Sequence, residues 1–143
     1  MSGKSTLVAA LLDAGATYYS DEYAMLDARG RVHAYSKPLS LRAAAAADDE
    51  EPPAVAPTVN PRPLRVGLVL ITRYRAGAHW RPRRLSPGRA AIELLAHTVA
   101  ARRSPGRALS ALARALSGAR VLAGARGEAA ELVARLAELS PGL

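Results

Sequence analysis

The stretch Met1–Ala16, MSGKSTLVAALLDAGA, decides how the chain is read. Gly3-Lys4-Ser5-Thr6 matches the closing half of the phosphate-binding loop G-x-x-x-x-G-K-[ST]. A helix is expected at once over Ser5–Ala14, with Leu7, Leu11 and Ala14 on one face and Val8 and Leu12 beside it. Gly15 stands where a helix-ending residue of positive φ is favoured. In such a loop the backbone amides and the helix N-terminus form an anion nest. Gly3 then lets the backbone approach the phosphates, and Lys4 reaches the β- and γ-phosphates. Ser5 ligates Mg²⁺ and Thr6 sits in the first helical turn. The first glycine of the motif and its strand do not precede Gly3, so the expected loop lacks its front half. The same residues also suit an ordinary helix start with an exposed lysine.

Downstream, Gly15–Arg42 reads GATYYSDEYAMLDARGRVHAYSKPLSLR. ATYY is expected to be a short strand. YAMLDARGRVHAY reads as two strands joined at Asp27-Ala28-Arg29-Gly30. Asp21 and Glu22 follow the first of these strands. An acidic residue at a strand end near a phosphate loop holds Mg²⁺ or acts as a base. One carboxylate can orient metal, with Asp21 the candidate ligand, while the other accepts a hydroxyl proton. The alternative is a polar turn between two strands.

Taken together, GKSTL, the helix, Gly15, the strand and Ser20-Asp21-Glu22 closely resemble the catalytic core of the HPr kinase/phosphorylase family and its related proteins. That family shares a phosphate-loop fold with phosphoenolpyruvate carboxykinases. The resemblance implies an α/β nucleotide-binding fold with a mixed sheet covered by helices, its first strand missing. It implies ATP and Mg²⁺ as cofactors and an ATP-dependent serine kinase activity. By resemblance Asp21 is the general base or acid on the acceptor hydroxyl, with Glu22 its acidic neighbour. Arg42, after the Pro-Leu-Ser segment, becomes a phosphate contact; otherwise it is a solvated charge. The likeness is best over residues 1–42 and weaker over 65–139, where TRYRAGAHW and LSPGRAAIELLAHT look like related proteins of unassigned substrate. No segment for gripping the HPr protein is recognisable. The acceptor is therefore left open between a protein and a small molecule, as is assembly into a homo-oligomer.

Composition fits this reading. The chain has 143 residues, which suits one domain over 1–143. It has no Phe and one Trp, so its core must be built from Ala, Leu and Val. The absence of Cys excludes disulfides, thiolate metal sites and a cysteine nucleophile. His33, His79 and His97 are scattered, without the spacing of a helical metal site. The apolar run after Lys4 is too short for a signal peptide and meets Asp13 at once. Val66–Ile71 is too short to span a bilayer. A cytoplasmic protein without membrane contact is expected.

The net charge of +8, almost all from Arg, suits a polyanion such as nucleic acid. Against nucleic acid, the arginines do not interleave with aromatics, and no recognised binding motif occurs. A third possibility is a remnant that holds a nucleotide or partner without transferring phosphate.

The rest of the chain alternates helices and strands. Residues 43–63 carry an Ala run, four acidic residues and then five prolines, which reads as a flexible connection. Asp48–Glu51 would oppose the dipole of any helix over the Ala run. Arg65–Tyr74, RVGLVLITRY, is the strongest strand, with the continuous apolar run of a strand buried on both faces. Arg73, Tyr74 and Arg75 follow it and could point into a cleft at its carboxyl end. Ala76–Arg84 reads as an exposed basic loop or edge strand, in which His79 and Trp80 either stack a base or anchor the loop. Ser86-Pro87 opens a helix expected to bury Ile92, Leu95 and Val99 and to end at Arg102-Arg103. The same SPGR capping sequence at Ser104 opens a helix with Leu109, Leu112 and Leu116. ARVLAG, residues 119–124, is a last short strand. Arg126-Gly127-Glu128 starts a last helix over Glu128–Leu139, with Leu132, Leu136 and Leu139 inward.

Overall fold

The computed structural model describes residues 3–20, 23–35 and 62–139. Among these the chain is mixed α/β, with four α-helices and two three-stranded sheets. Residues 43–61 of the expected connection over 43–63, together with Asp21, Glu22 and Arg42, lie outside the described residues.

Helix α1 spans Lys4–Asp13 and ends as expected, with Gly15 at φ 92°. Thr17–Ser20 carries no strand, contrary to the reading of ATYY. Tyr18 is buried, and the neighbouring backbone is tied to the next segment by Tyr35 N–H donating to the Tyr19 carbonyl at 3.1 Å. Strands β1 (Met25–Leu26) and β2 (Arg31–His33) form the expected hairpin, and β3 (Leu64–Arg65) pairs antiparallel with β2. The turn is built by Asp27. Its carboxylate accepts from the amides of Arg29 at 2.8 Å and Arg31 at 2.9 Å, from Arg31 Nε at 2.9 Å, and lies 3.2 Å from His33 Nε2. Gly30 completes it at φ 75°, pressed so closely on helix α3 (Pro105–Leu116) that a Cβ there would lie 2.3 Å from the Ala115 backbone nitrogen. Arg114 of α3 also donates to the Ala28 carbonyl, clamping the hairpin to the helix.

The second sheet contains β4 (Leu68–Tyr74), β6 (Arg120–Arg126) and β5 (Arg83–Arg84), in the order β4-β6-β5. The β4–β6 pair is parallel and the β5–β6 pair antiparallel. RVGLVLITRY is therefore not the strand buried on both faces. It divides at Val66-Gly67, and its longer part is a half-buried edge. The centre belongs to β6, the segment read as a last short strand. Val121, Leu122 and Ala123 are buried because β6 has a hydrogen-bonded neighbour on each side.

A parallel pair needs a long crossover. Here it is supplied by β5, α2 (Pro87–Leu95), a 3₁₀ turn (Val99–Arg102) and α3 (Pro105–Leu116). Ser86 caps α2, accepting from Arg89 N–H at 3.4 Å. Ser104 makes no such side-chain bond, so the repeated SPGR does not repeat the capping. The 3₁₀ turn runs straight into α3, and Ser104 N–H donates to the Ala100 carbonyl at 2.9 Å.

The inward face of α2 is Ala90 and Ala91, with Leu94 and Leu95 packed on the core. Ile92 and Val99 point outward, 70% and 67% exposed, which corrects the expected stripe. Ala90 and Ala91 share one buried cluster with Leu112 and Leu116 of α3. Leu112 and Leu116 of α3 join the same core with Leu85, Val121 and Ala123, whereas Leu109 is largely exposed. Helix α4 (Ala129–Leu139) buries Leu132 and Leu136 as expected and packs against α1.

Candidate functional site

The amino end of α1 meets the carboxyl end of β6. Gly3 is the helix N-cap, in the left-handed region at φ 61° and ψ 23°. Gly3 offers no side chain to cap this end, and the first turn holds no acidic residue. The first helical amides of any α-helix lack intrahelical acceptors, so this end carries partial positive charge. Lys4 and Thr6 are exposed, and Ser5 is half-buried.

The residue that organises this corner is Arg126, the last residue of β6. Its side chain is 2% exposed. Nη2 donates to the Gly3 carbonyl at 2.7 Å and Nη1 to the Gly127 carbonyl at 2.9 Å. The guanidinium lies 5.5 Å from the centre of the Tyr74 ring. Burial of a charge is costly unless it is hydrogen-bonded, and these contacts offset that cost. The sequence places Arg126 at the start of the last helix. It is instead a buried strand residue, and α4 begins at Ala129. The available signal was its position: an arginine at the carboxyl end of a strand, where α/β sheets place their ligand sites.

Tyr74 closes β4 beside it. Its hydroxyl donates to Glu128 Oε1 at 3.1 Å. That hydrogen bond, with the negative charge of Glu128, raises the phenol above its ordinary ionisation range, and the nearby Arg126 opposes the shift. Arg73 is exposed at the same strand end. His79 Nδ1 lies 3.2 Å from Glu131 Oε1. Trp80 is a packed loop anchor: its ring lies so near Gly124 that a Cβ there would sit 3.2 Å from Cζ3. Its buried Nε1 has no hydrogen-bond partner among the described residues.

Of the expected site residues, then, Gly3, Lys4, Ser5 and Thr6 stand together at one helix end. Asp21, Glu22 and Arg42 lie outside the described residues. Among the described residues no group of three His, Asp or Glu side chains is gathered as a metal site. No helix among them is long and apolar enough to cross a membrane. Comparison with family models, with curated proteins and with solved structures finds no match.

Proposed function

We propose that this chain is a nucleotide-binding, kinase-like domain of the HPr serine kinase type, working in the cytosol and holding Mg²⁺–ATP at the amino end of α1. The observation that carries the reading is the corner formed by Gly3, Lys4 and Arg126. A helix N-terminus with exposed Lys4 in its first turn meets a buried guanidinium bound to the Gly3 carbonyl there, with Gly3 left-handed at the turn. A polyphosphate is the ligand whose charge such a corner suits. The helix end also lies at the carboxyl end of the parallel pair β4–β6, where open α/β sheets bind ligands.

On this reading Lys4 neutralises phosphate charge, and the Ser5 hydroxyl is a ligand for the metal. Arg126 fixes the Gly3 carbonyl, so the first turn of α1 is ordered before any ligand arrives. Asp21 takes the proton of the acceptor hydroxyl, with Glu22 beside it and Arg42 on phosphate. Bound there, Mg²⁺–ATP supplies the transferable phosphoryl group and the metal charge that offsets its oxygens. The protein's part is positioning and neutralisation.

The test is calorimetric titration of the chain and its Lys4→Ala variant with Mg²⁺–ATP. Saturable binding that weakens about tenfold or more in Lys4→Ala is expected. Equal binding by the two overturns the reading. Transfer of labelled γ-phosphate, lost in Asp21→Asn, separates a kinase from a protein that only holds the nucleotide.

A further inference from the structure

The opposite end of the β4–β6 pair holds a second feature, independent of the nucleotide reading. A cavity of about 1000 Å³ opens there, between the first residues of β4 and β6 and the start of α2. That volume is at the upper end of the range for small-molecule pockets, about 300–1,000 Å³. Leu116, Leu122 and Leu136 form its apolar floor, each under a tenth exposed. Arg84, Arg120 and Ser86 stand at its rim.

The two arginines are arranged by the sheet. Arg84 is the cross-strand partner of Leu122. Arg120 lies two residues before Leu122 on β6, hence on the same face. Such diagonal neighbours lie roughly 7–8 Å apart, close enough for both guanidinium groups to reach one anionic head. Backbone bonds hold both strand starts: Arg120 N–H donates to the Gly67 carbonyl at 2.9 Å, and Leu85 N–H to the Val121 carbonyl at 3.0 Å.

Arg31, Arg83 and Arg135 each have a carboxylate within 4 Å, at Asp27, Glu93 and Glu138. Among the described residues Arg84 and Arg120 have none, and no acidic side chain lines the cavity. The positive end of the α2 dipole adds to the same rim.

We infer that this cavity binds a small amphipathic anion, with a phosphate or carboxylate head on Arg84 and Arg120 and an apolar body on the leucine floor. A free inorganic anion would leave the floor unused. A neutral apolar ligand would leave the arginines without a partner.

The probe is octyl phosphate, titrated into the full chain by calorimetry, with octanol and inorganic phosphate as controls. One octyl phosphate per chain is expected, with affinity falling as salt is raised. The controls bind about tenfold more weakly or worse. Two variants at exposed lining positions test the site from different sides. The double variant Arg84→Gln/Arg120→Gln removes the head contacts, and Ser117→Trp fills the cavity without touching charge. Both are expected to lose binding by about tenfold or more while melting like the parent. If the double variant melts earlier, Ser117→Trp carries the test. Sedimentation with phosphatidylglycerol vesicles then identifies the source of the head group. Arginine-dependent co-sedimentation assigns it to a lipid, and its absence to a free amphiphile. Parent-like binding by both variants, octanol or phosphate binding as tightly as octyl phosphate, or no saturable binding at all overturns the proposal.

Discussion

Arg126 Nη2 donates to the carbonyl of Gly3 across 2.7 Å, joining residues 123 apart in sequence. Through this bond the central strand holds the first turn of α1. Replacing Arg126 by Ala removes the buried donor of the Gly127 carbonyl and leaves the half-buried Gly3 carbonyl with the Leu7 N–H alone. Hydrogen bonds to a charged group are worth about 1.5–3 kcal/mol each, so Arg126→Ala is expected to cost about 3 kcal/mol. Urea unfolding of the two proteins checks this. Arg126→Lys keeps the charge but not the planar fork, and is expected to recover only part of the loss.

Gly3→Ala probes the same link from the other side. A left-handed residue with a Cβ costs about 1–2 kcal/mol. The added Cβ would also lie 2.5 Å from Arg126 Nη2, though the end of a flexible side chain can move aside. The expected outcome is modest destabilisation together with faster amide exchange in the first turn of α1, read by hydrogen exchange.

Gly30→Ala is expected to be worse, although its φ is similar. Here the added Cβ meets backbone, 2.3 Å from Ala115 N and 2.8 Å from its Cα. Helix α3 must shift or the hairpin must detach. Positive-φ strain and overpacking together suggest a loss of about 3 kcal/mol or more. A thermal melt of the variant measures it.

Asp27 makes stability depend on pH. The Arg31 amide bond, with His33, the Arg31 side chain and the Arg29 amide, holds its carboxyl well below the ordinary value of 3.8, outweighing an opposing effect of burial. A carboxylate whose folded pKa is depressed contributes stability that is full above its unfolded value. That contribution is lost as the pH falls below about 4. Melting temperature is therefore expected to drop on acidification below that point. Asp27→Asn should melt lower at neutral pH and show a shallower acid dependence.

Tyr74 gives a spectroscopic counterpart. Its phenol ionises above the usual range because it donates a hydrogen bond to Glu128 and stands beside that negative charge. Ultraviolet titration of the five tyrosines should show a late component that disappears in both Tyr74→Phe and Glu128→Gln.

Local signals in the sequence were read well. Helix α1 and its Gly15 stop, the Asp27–Gly30 turn, the Ser86 cap and the Leu132/Leu136 stripe all depend on short-range chemistry. What the sequence concealed was tertiary. Apolarity marked β4 as central, yet sheet position depends on which strand finds two partners, and Ala- and Gly-containing β6 does. The stripe Ile92/Leu95/Val99 has helical spacing. Only its Leu95 packs on the core; Ile92 and Val99 face outward, and Ala90 and Ala91 take the inward positions with Leu112 and Leu116 of α3. At the candidate site, Gly3, Lys4, Ser5 and Thr6 were legible as a motif. Arg126 was not, because its partner lies at the other end of the chain.

The place of β6 also bears on how the protein is made. Among the described residues, strands β4 and β5 pair in their sheet only with β6, and β6 follows both in sequence. A nascent chain that has emerged only through α3 therefore has no partner strand for either of them. Helix α1, which precedes these strands in sequence, gains its Arg126 contact only once β6 has emerged. The second sheet should thus assemble in one late cooperative step dominated by long-range contacts, a topology associated with slow folding.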